Sequence, residues 1–274
     1  MSSPVLEVPE VPKATLQAAE GLGLFHPTAT RIQEVASDPT AEISDLARTV
    51  AIDPFMSARL LKLANSPFYG MRKSVTTLKH AITVLGFRTT RDLAIAMYIG
   101  GKADTAGPEA CKIWQHSLRT GTAYRLIARY IRGQNAPEAL VAGILHDVGA
   151  LIMCMLDPRY AAMCRHFQEG SARVLTAERM LFGVEHTKLG AALLDTWELP
   201  HAFVEVALTH HDPPETTQGW MMNMAEALAE DEVPKLDVLA SSVAARKLRL
   251  TPSQLEIMID VYLEDAERID SLMR

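Results

Sequence analysis

Apolar positions along this chain recur every three to four residues, and the interruptions fall on Pro, Gly, Asn and Asp where helices start or stop. No segment shows the strict alternation of a half-buried strand. Thr40 is followed by Ile43, Leu46, Ala47 and Val50, a helical stripe, and Asp53-Pro54 then supplies an N-cap with proline at the first helical position. That second helix runs to Asn65, where Asn65-Ser66-Pro67 stops it, because the residue before proline avoids the helical region and Asn tolerates a left-handed cap. Leu60, Leu61 and Leu63 on it are expected to pack between lobes. Further helices run from about Thr77 to Gly86 and from about Thr90 to Gly100-Gly101.

The short, polar stretch Gly100 to Pro108 marks a boundary. Beyond it come a long helix from Pro108 to about Arg132 and a core helix from Pro137 to about Leu156, then a histidine-rich region to about Ala229. Thr251-Pro252 opens a last helix whose stripe is Leu255, Met258, Ile259, Tyr262, Ala266 and Ile269, a face that must dock on something, most simply the body of its own chain. The reading is all-α. An N-terminal helical lobe over 1–105 packs against a central helical core over 106–232, with C-terminal helices over 233–274.

Composition narrows the partners. Of 274 residues 48% are apolar, enough for a sizeable core, and the net charge of -6 disfavours a phosphate backbone or an anionic membrane as the default partner. Arg119, Arg125, Arg129 and Arg132 fall on one helical stretch, which a solvated face explains as well as a basic patch. Cys111, Cys154 and Cys164 are odd in number and form no CxxC pair, so they read as small buried hydrophobes in a reducing compartment, the cytoplasm. The start, MSSPVLEVPEVP, has neither the basic residues nor the apolar run of a signal peptide. Ala139 to Leu156 is apolar enough to approach a membrane span, but His146 and Asp147 in its middle make it a core helix instead.

Those two residues open the question of chemistry. His116, His146-Asp147, His186 and His210-His211 each lie on or at the end of an expected helix. His116 shares a face with Thr120, Ala123 and Ile127 and should point inward. An ionised carboxylate at Asp147, flanked by ALVAGIL and VGALIMCML, is costly unless a cation or strong donor compensates it. One or two transition-metal ions, iron, manganese, cobalt or zinc, would do so with this imidazole and carboxylate donor set. The spacings are long, and each histidine taken alone reads equally as a satisfied core residue or a helix cap. His26, His80, His166 and His201 read as structural or surface residues.

LARTVAIDPFMSARLLKLANSPFYG at Leu46 to Gly70, AITVLGFRTTRDLAIA from Ala81, WQHS at Trp114, GILHDVG at Gly143, ERMLFGVEHTKLGAALLDTWELP at Glu178 and the pair His210-His211 together resemble the HDOD domains, over about residues 24–228. That family is similar to the HD metal-dependent phosphohydrolases and the HD-GYP phosphodiesterases. The resemblance implies a helical HD-like fold and a site in which His116, His146, Asp147, His186, His210 and His211 hold one or two ions of iron, manganese or zinc, with Asp147 the catalytic group if the chain is active. The active enzymes add a later Asp, for which Glu226 is the nearest counterpart here, and a Lys after the HD-x-G element, where this chain has Ala150; the GYP segment is missing. The resemblance therefore implies a bacterial signalling module, non-catalytic or weakly catalytic, that binds a protein partner. A working phosphohydrolase acting on a nucleotide or cyclic dinucleotide is the alternative, and a nucleotide sensor without turnover is the third.

Overall fold

The structure, a computed structural model, describes residues 8–22, 27–66, 69–164, 172–230 and 233–273, and among these there is no strand. His26 and His166 lie outside the described residues. The chain divides into two compact units, Gly23–Lys102 and a larger one made of Met1–Leu22 with Ala103–Arg274.

The smaller unit contains α2 (Pro27–Ser37), α3 (Ile43–Val50), α4 (Pro54–Ala64), α5 (Leu78–Leu85) and α6 (Phe87–Gly100). Local rules account for its boundaries. The Asp53 carboxylate accepts from the Met56 amide at 3.0 Å at the start of α4. Asn65 closes α4 with its side chain: Nδ2 donates to the Leu61 and Val75 carbonyls at 2.8 and 2.7 Å, and Oδ1 accepts from the Val75 amide at 2.7 Å. Gly86, at φ +91°, lets α6 begin at once, so α6 starts three residues before the expected Thr90. Ile32, Leu46, Leu60, Ile82 and Leu93 are fully buried. Of the three leucines expected to pack inward, Leu60 is buried whereas Leu61 and Leu63 are partly exposed, as the α4 stripe of Met56, Leu60 and Ala64 dictates.

The larger unit takes α1 (Lys13–Gly21), which the sequence groups with the N-terminal lobe: the Thr15 hydroxyl donates to the Phe182 carbonyl at 2.7 Å. It continues with α7 (Ala103–Ala106), α8 (Pro108–Ala128), α9 (Ala136–Leu145), α10 (Val148–Leu156), α11 (Pro158–Cys164), α12 (Ala172–Phe182), α13 (His186–Thr196), α14 (His201–Thr209), α15 (Thr217–Glu230), α16 (Leu236–Ser241), α17 (Val243–Leu248) and α18 (Pro252–Met273). The last helix docks on its own chain, with Leu255, Met258, Ile259, Tyr262 and Ala266 all buried; the side chain of Ile269 is outside the described ones. Arg125 is buried and its Nη2 lies 3.0 Å from Asp265 Oδ2 of α18, so it belongs to this docking and not to a solvated face. Arg132 lies beyond α8, which ends at Ala128.

The expected single core helix is two. Ala136–Leu156 has the length and hydropathy to cross a membrane, but 83% of its most apolar window is buried inside the unit, and it is interrupted at His146-Asp147, where Asp147 adopts φ -111°, ψ 20°. Close approaches fix the neighbours of that break. A Cβ on Gly121 of α8 would lie 2.7 Å from the Leu140 carbonyl oxygen of α9, and one on Gly149 of α10 would lie 2.0 Å from the His186 carbonyl oxygen of α13. Glycine at these two positions lets α8 and α13 come near enough to bring their histidines to the HD pair.

Candidate metal centre

All six expected donors converge in the larger unit, from five helix segments. His116 projects from the middle of α8, His146 and Asp147 from the α9–α10 break, His186 from the first turn of α13, and His210 and His211 from the end of α14. Their ligating atoms fall into two triads, His116 with His146 and Asp147, and His186 with His210 and His211, each with all its atoms within 4.8 Å of one another. Asp147 lies between them: its Oδ1 is 3.6 Å from His186 Nε2 and 3.7 Å from His210 Nε2. His146, Asp147, His186 and His210 are buried, while His211 is exposed.

Hydrogen bonds on the far side of three rings fix which nitrogen faces the cluster. His146 Nδ1 meets the Gly143 carbonyl at 2.6 Å and His210 Nδ1 the Ala207 carbonyl at 3.0 Å; a carbonyl only accepts, so Nδ1 carries the proton and Nε2 is the inward atom. His186 Nδ1 lies 2.8 and 2.9 Å from the two oxygens of Glu178. A carboxylate or carbonyl on Nδ1 is the arrangement that orients an imidazole for metal ligation through Nε2.

Glu178, to which the sequence assigns no role, touches one of the candidate donors. It is fully buried, accepts from the Tyr160 hydroxyl at 2.7 Å and from the His186 amide at 2.9 Å, and so fixes both the ring and the start of α13. The signal that could have found it is its place on the buried face of α12 with Val174, Ala177 and Phe182, where a charge is out of pattern. Glu226 of α15, the expected counterpart of a later Asp, does reach the site. Its Oε1 is 3.0 Å from His146 Nε2 and its Oε2 3.3 Å from His116 Nε2.

The electrostatics follow from crowding donors in a buried space. Burial alone would lower the pKa of His146, but the Glu226 carboxylate beside it, with Asp147, holds it up at about 9. Burial drives His210 well below its ordinary value, reinforced by the charge at His146, and lowers His211 as well. Asp147 and Glu226 would be raised by burial, yet the surrounding imidazoles hold both below the ordinary carboxylate range. Even so, Asp147 Oδ1 and His210 Nε2 are buried without a hydrogen-bond partner. Unpaired buried polar atoms cost about 1 to 3 kcal/mol each, so they call for a group that satisfies them together. A divalent cation does. Two imidazole nitrogens bound tetrahedrally to one ion at roughly 2.0–2.1 Å stand about 3.3 Å apart; His186 Nε2 and His211 Nε2, at 2.9 Å, are within hydrogen-bond distance of each other and close to that spacing.

Ala150, where the active enzymes resembled here place a Lys, is fully buried. Lys188 lies 3.4 Å from Glu185 with its side chain 46% exposed, and His201 is exposed at the start of α14.

Comparison with known proteins agrees with the fold. The HDOD domain family matches residues 22–213, well over half of the chain. A curated relative, an uncharacterized protein of Treponema pallidum (strain Nichols), is 24% identical over 191 residues, 69% of this chain but 37% of the relative, so the chain spans little more than a third of that protein's length. A solved structure from Shewanella amazonensis SB2B, provisionally named a phosphohydrolase, superposes with a TM-score of 0.72 at 22% identity, covering 96% of this chain and 98% of that one. The MmoQ response regulator of Methylococcus capsulatus str. Bath gives a TM-score of 0.50 at 25% identity, with coverage of 85% and 95%. These likenesses establish the fold, and the family match over residues 22–213 establishes that the chain belongs to the HDOD domain family.

Proposed function

We propose that this protein is a signalling module whose larger unit holds one or two transition-metal ions for structural ordering and whose smaller unit offers surface to a protein partner. The observation that carries the metal assignment is the buried, unpaired pair Asp147 Oδ1 and His210 Nε2, enclosed by imidazoles whose Nδ1 atoms are already committed. His116, His146, Asp147 and Glu226 are the donors of one ion; His186, His210 and His211, facing Asp147, are those of the other. Iron, manganese and zinc all suit this mixture. The name of the Methylococcus relative supports the signalling context.

A bound ion supplies Lewis acidity and hydroxide at neutral pH, which is why turnover of a nucleotide or cyclic dinucleotide is the second reading; the complete donor set with Glu226 and the name of the Shewanella relative favour it. Against efficient turnover stands Ala150. Phosphoryl transfer needs fixed positive charge where negative charge develops, and the buried methyl of Ala150 supplies none.

Metal analysis of protein produced with iron, manganese and zinc available tests both readings, alongside assays on cyclic di-GMP, cyclic mononucleotides and an aryl phosphodiester. The expected result is bound metal in the parent, its loss in Asp147→Ala, and negligible hydrolysis by both. Metal-free parent protein would end the metal assignment. Multiple turnovers in the parent that vanish in Asp147→Ala would put the phosphohydrolase first.

A further inference from the structure

Next to the donor cluster the larger unit encloses a cleft of about 260 Å³ with no histidine in its walls. Its apolar walls include Ala139 and Ala142 of α9, Phe203 and Val206 of α14, and Met221 and Met222 of α15. The loop from α14 to α15 is folded tightly along one side: a Cβ on Gly219 would lie 2.1 Å from the Pro214 carbonyl oxygen. The size is just below the roughly 300–1,000 Å³ of sites for drug-sized ligands, so an occupant is small.

Charge defines that occupant. Among the residues lining the cleft the charged ones are Glu138 and Glu205, with no Lys or Arg, and neither carboxylate has a cationic partner among the described residues. Tyr124 is 3% exposed, and its hydroxyl reaches the Gln218 carbonyl only at 3.5 Å. Burial, with the nearby Glu205 carboxylate, raises the phenol pKa, so the hydroxyl stays intact as a hydrogen-bonding group. The half-buried Glu205 and the exposed Glu138 at the rim disfavour phosphorylated ligands and suit an ammonium group carried on a hydrocarbon body.

We propose that this cleft is a second ligand site, taking a small organic ammonium compound with its charge against the half-buried Glu205 and its apolar body along the half-exposed Pro213 and Pro214. Such a ligand would bear on the same helices that carry the donors. Ala142, Val206 and Met222 each stand four residues before His146, His210 and Glu226, and Tyr124 stands eight after His116. Those offsets are roughly 6 and 12 Å along a helix.

Calorimetric titration of the full chain with phenethylamine, protonated at neutral pH, and with 3-phenylpropionate, of similar size and opposite charge, tests the site without reference to metal. The amine is expected to bind saturably and the carboxylate not to bind. Glu205→Gln should weaken the amine about tenfold or more, because a hydrogen bond to a charged group is lost. Ala142→Leu, which fills the cleft, should abolish binding, and a melting curve for each variant separates that effect from misfolding. Equal binding of the carboxylate, amine binding that survives Glu205→Gln, or no saturable amine binding would each overturn the proposal.

Discussion

Asp53 and Asp147 both stand at the N-cap position of a helix, one in each unit, and they do different things there. Asp53 spends its carboxylate on the Met56 amide at 3.0 Å, the ordinary employment of such a residue. Asp147 makes no capping bond to α10, although it is 2% exposed and has apolar helix on both sides. A buried carboxylate that declines the nearest backbone donor is being held for something else. In the smaller unit stripes, caps and turns agree on the helix boundaries, whereas in the larger unit the helical pattern is broken at His146-Asp147, where the candidate donors meet.

The difference is sharpest where the packing is deepest. Leu60 is fully buried in the smaller unit, so Leu60→Ala should cost about 2 to 5 kcal/mol through lost burial and the cavity left behind. Urea denaturation with and without added zinc checks it. The loss should be the same in both, since none of the donors lies in that unit; a zinc-dependent difference would break the separation of roles.

Glu178→Gln probes the other side. The carboxylate takes three donors, from the Tyr160 hydroxyl, the His186 amide and His186 Nδ1. An amide in its place has one acceptor and turns a donor toward a donor. Metal affinity, measured by competition with a chelator, should fall about 10- to 100-fold, the usual effect of losing the partner that orients a ligating histidine. Unchanged affinity would mean that His186 is a core residue and not a ligand.

How far the sequence carries differs between the units for the same reason. Asp53, Asn65, Thr77 and Gly86 were legible as helix boundaries because capping is local, and the structure places all four at boundaries, Asn65 through its side chain and not through the left-handed backbone expected of it. The six donors were legible from the family resemblance and from the oddity of His146-Asp147 in an apolar run, since their spacings alone specify nothing. The break of the core helix was not legible: Ala136 to Leu156 has continuous helical hydropathy, and beside the interruption Gly149 meets the His186 carbonyl, a contact 37 residues away in sequence. Glu178 was hidden in the same way, because its partners Tyr160 and His186 lie on neighbouring elements of the folded unit.

The smallest effect returns to the two aspartates. Asp53→Ala removes one capping bond, which costs about 1 kcal/mol, and it should do so equally in metal-free and metal-loaded protein. Asp147→Ala removes no capping bond, but it takes away a carboxylate that the surrounding imidazoles hold below the ordinary range, so metal-free protein should lose some stability at neutral pH, and less than metal-loaded protein does. In metal-loaded protein it should cost whatever stabilisation the ion adds, about 2.7 kcal/mol when free metal stands at one hundred times its dissociation constant. Melting both variants and the parent in chelator and then in excess zinc gives the four differences needed. If Asp147→Ala lost as much stability in chelator as in zinc, its carboxylate would be a structural group after all, and the contrast between the two N-cap aspartates would reduce to a difference in burial.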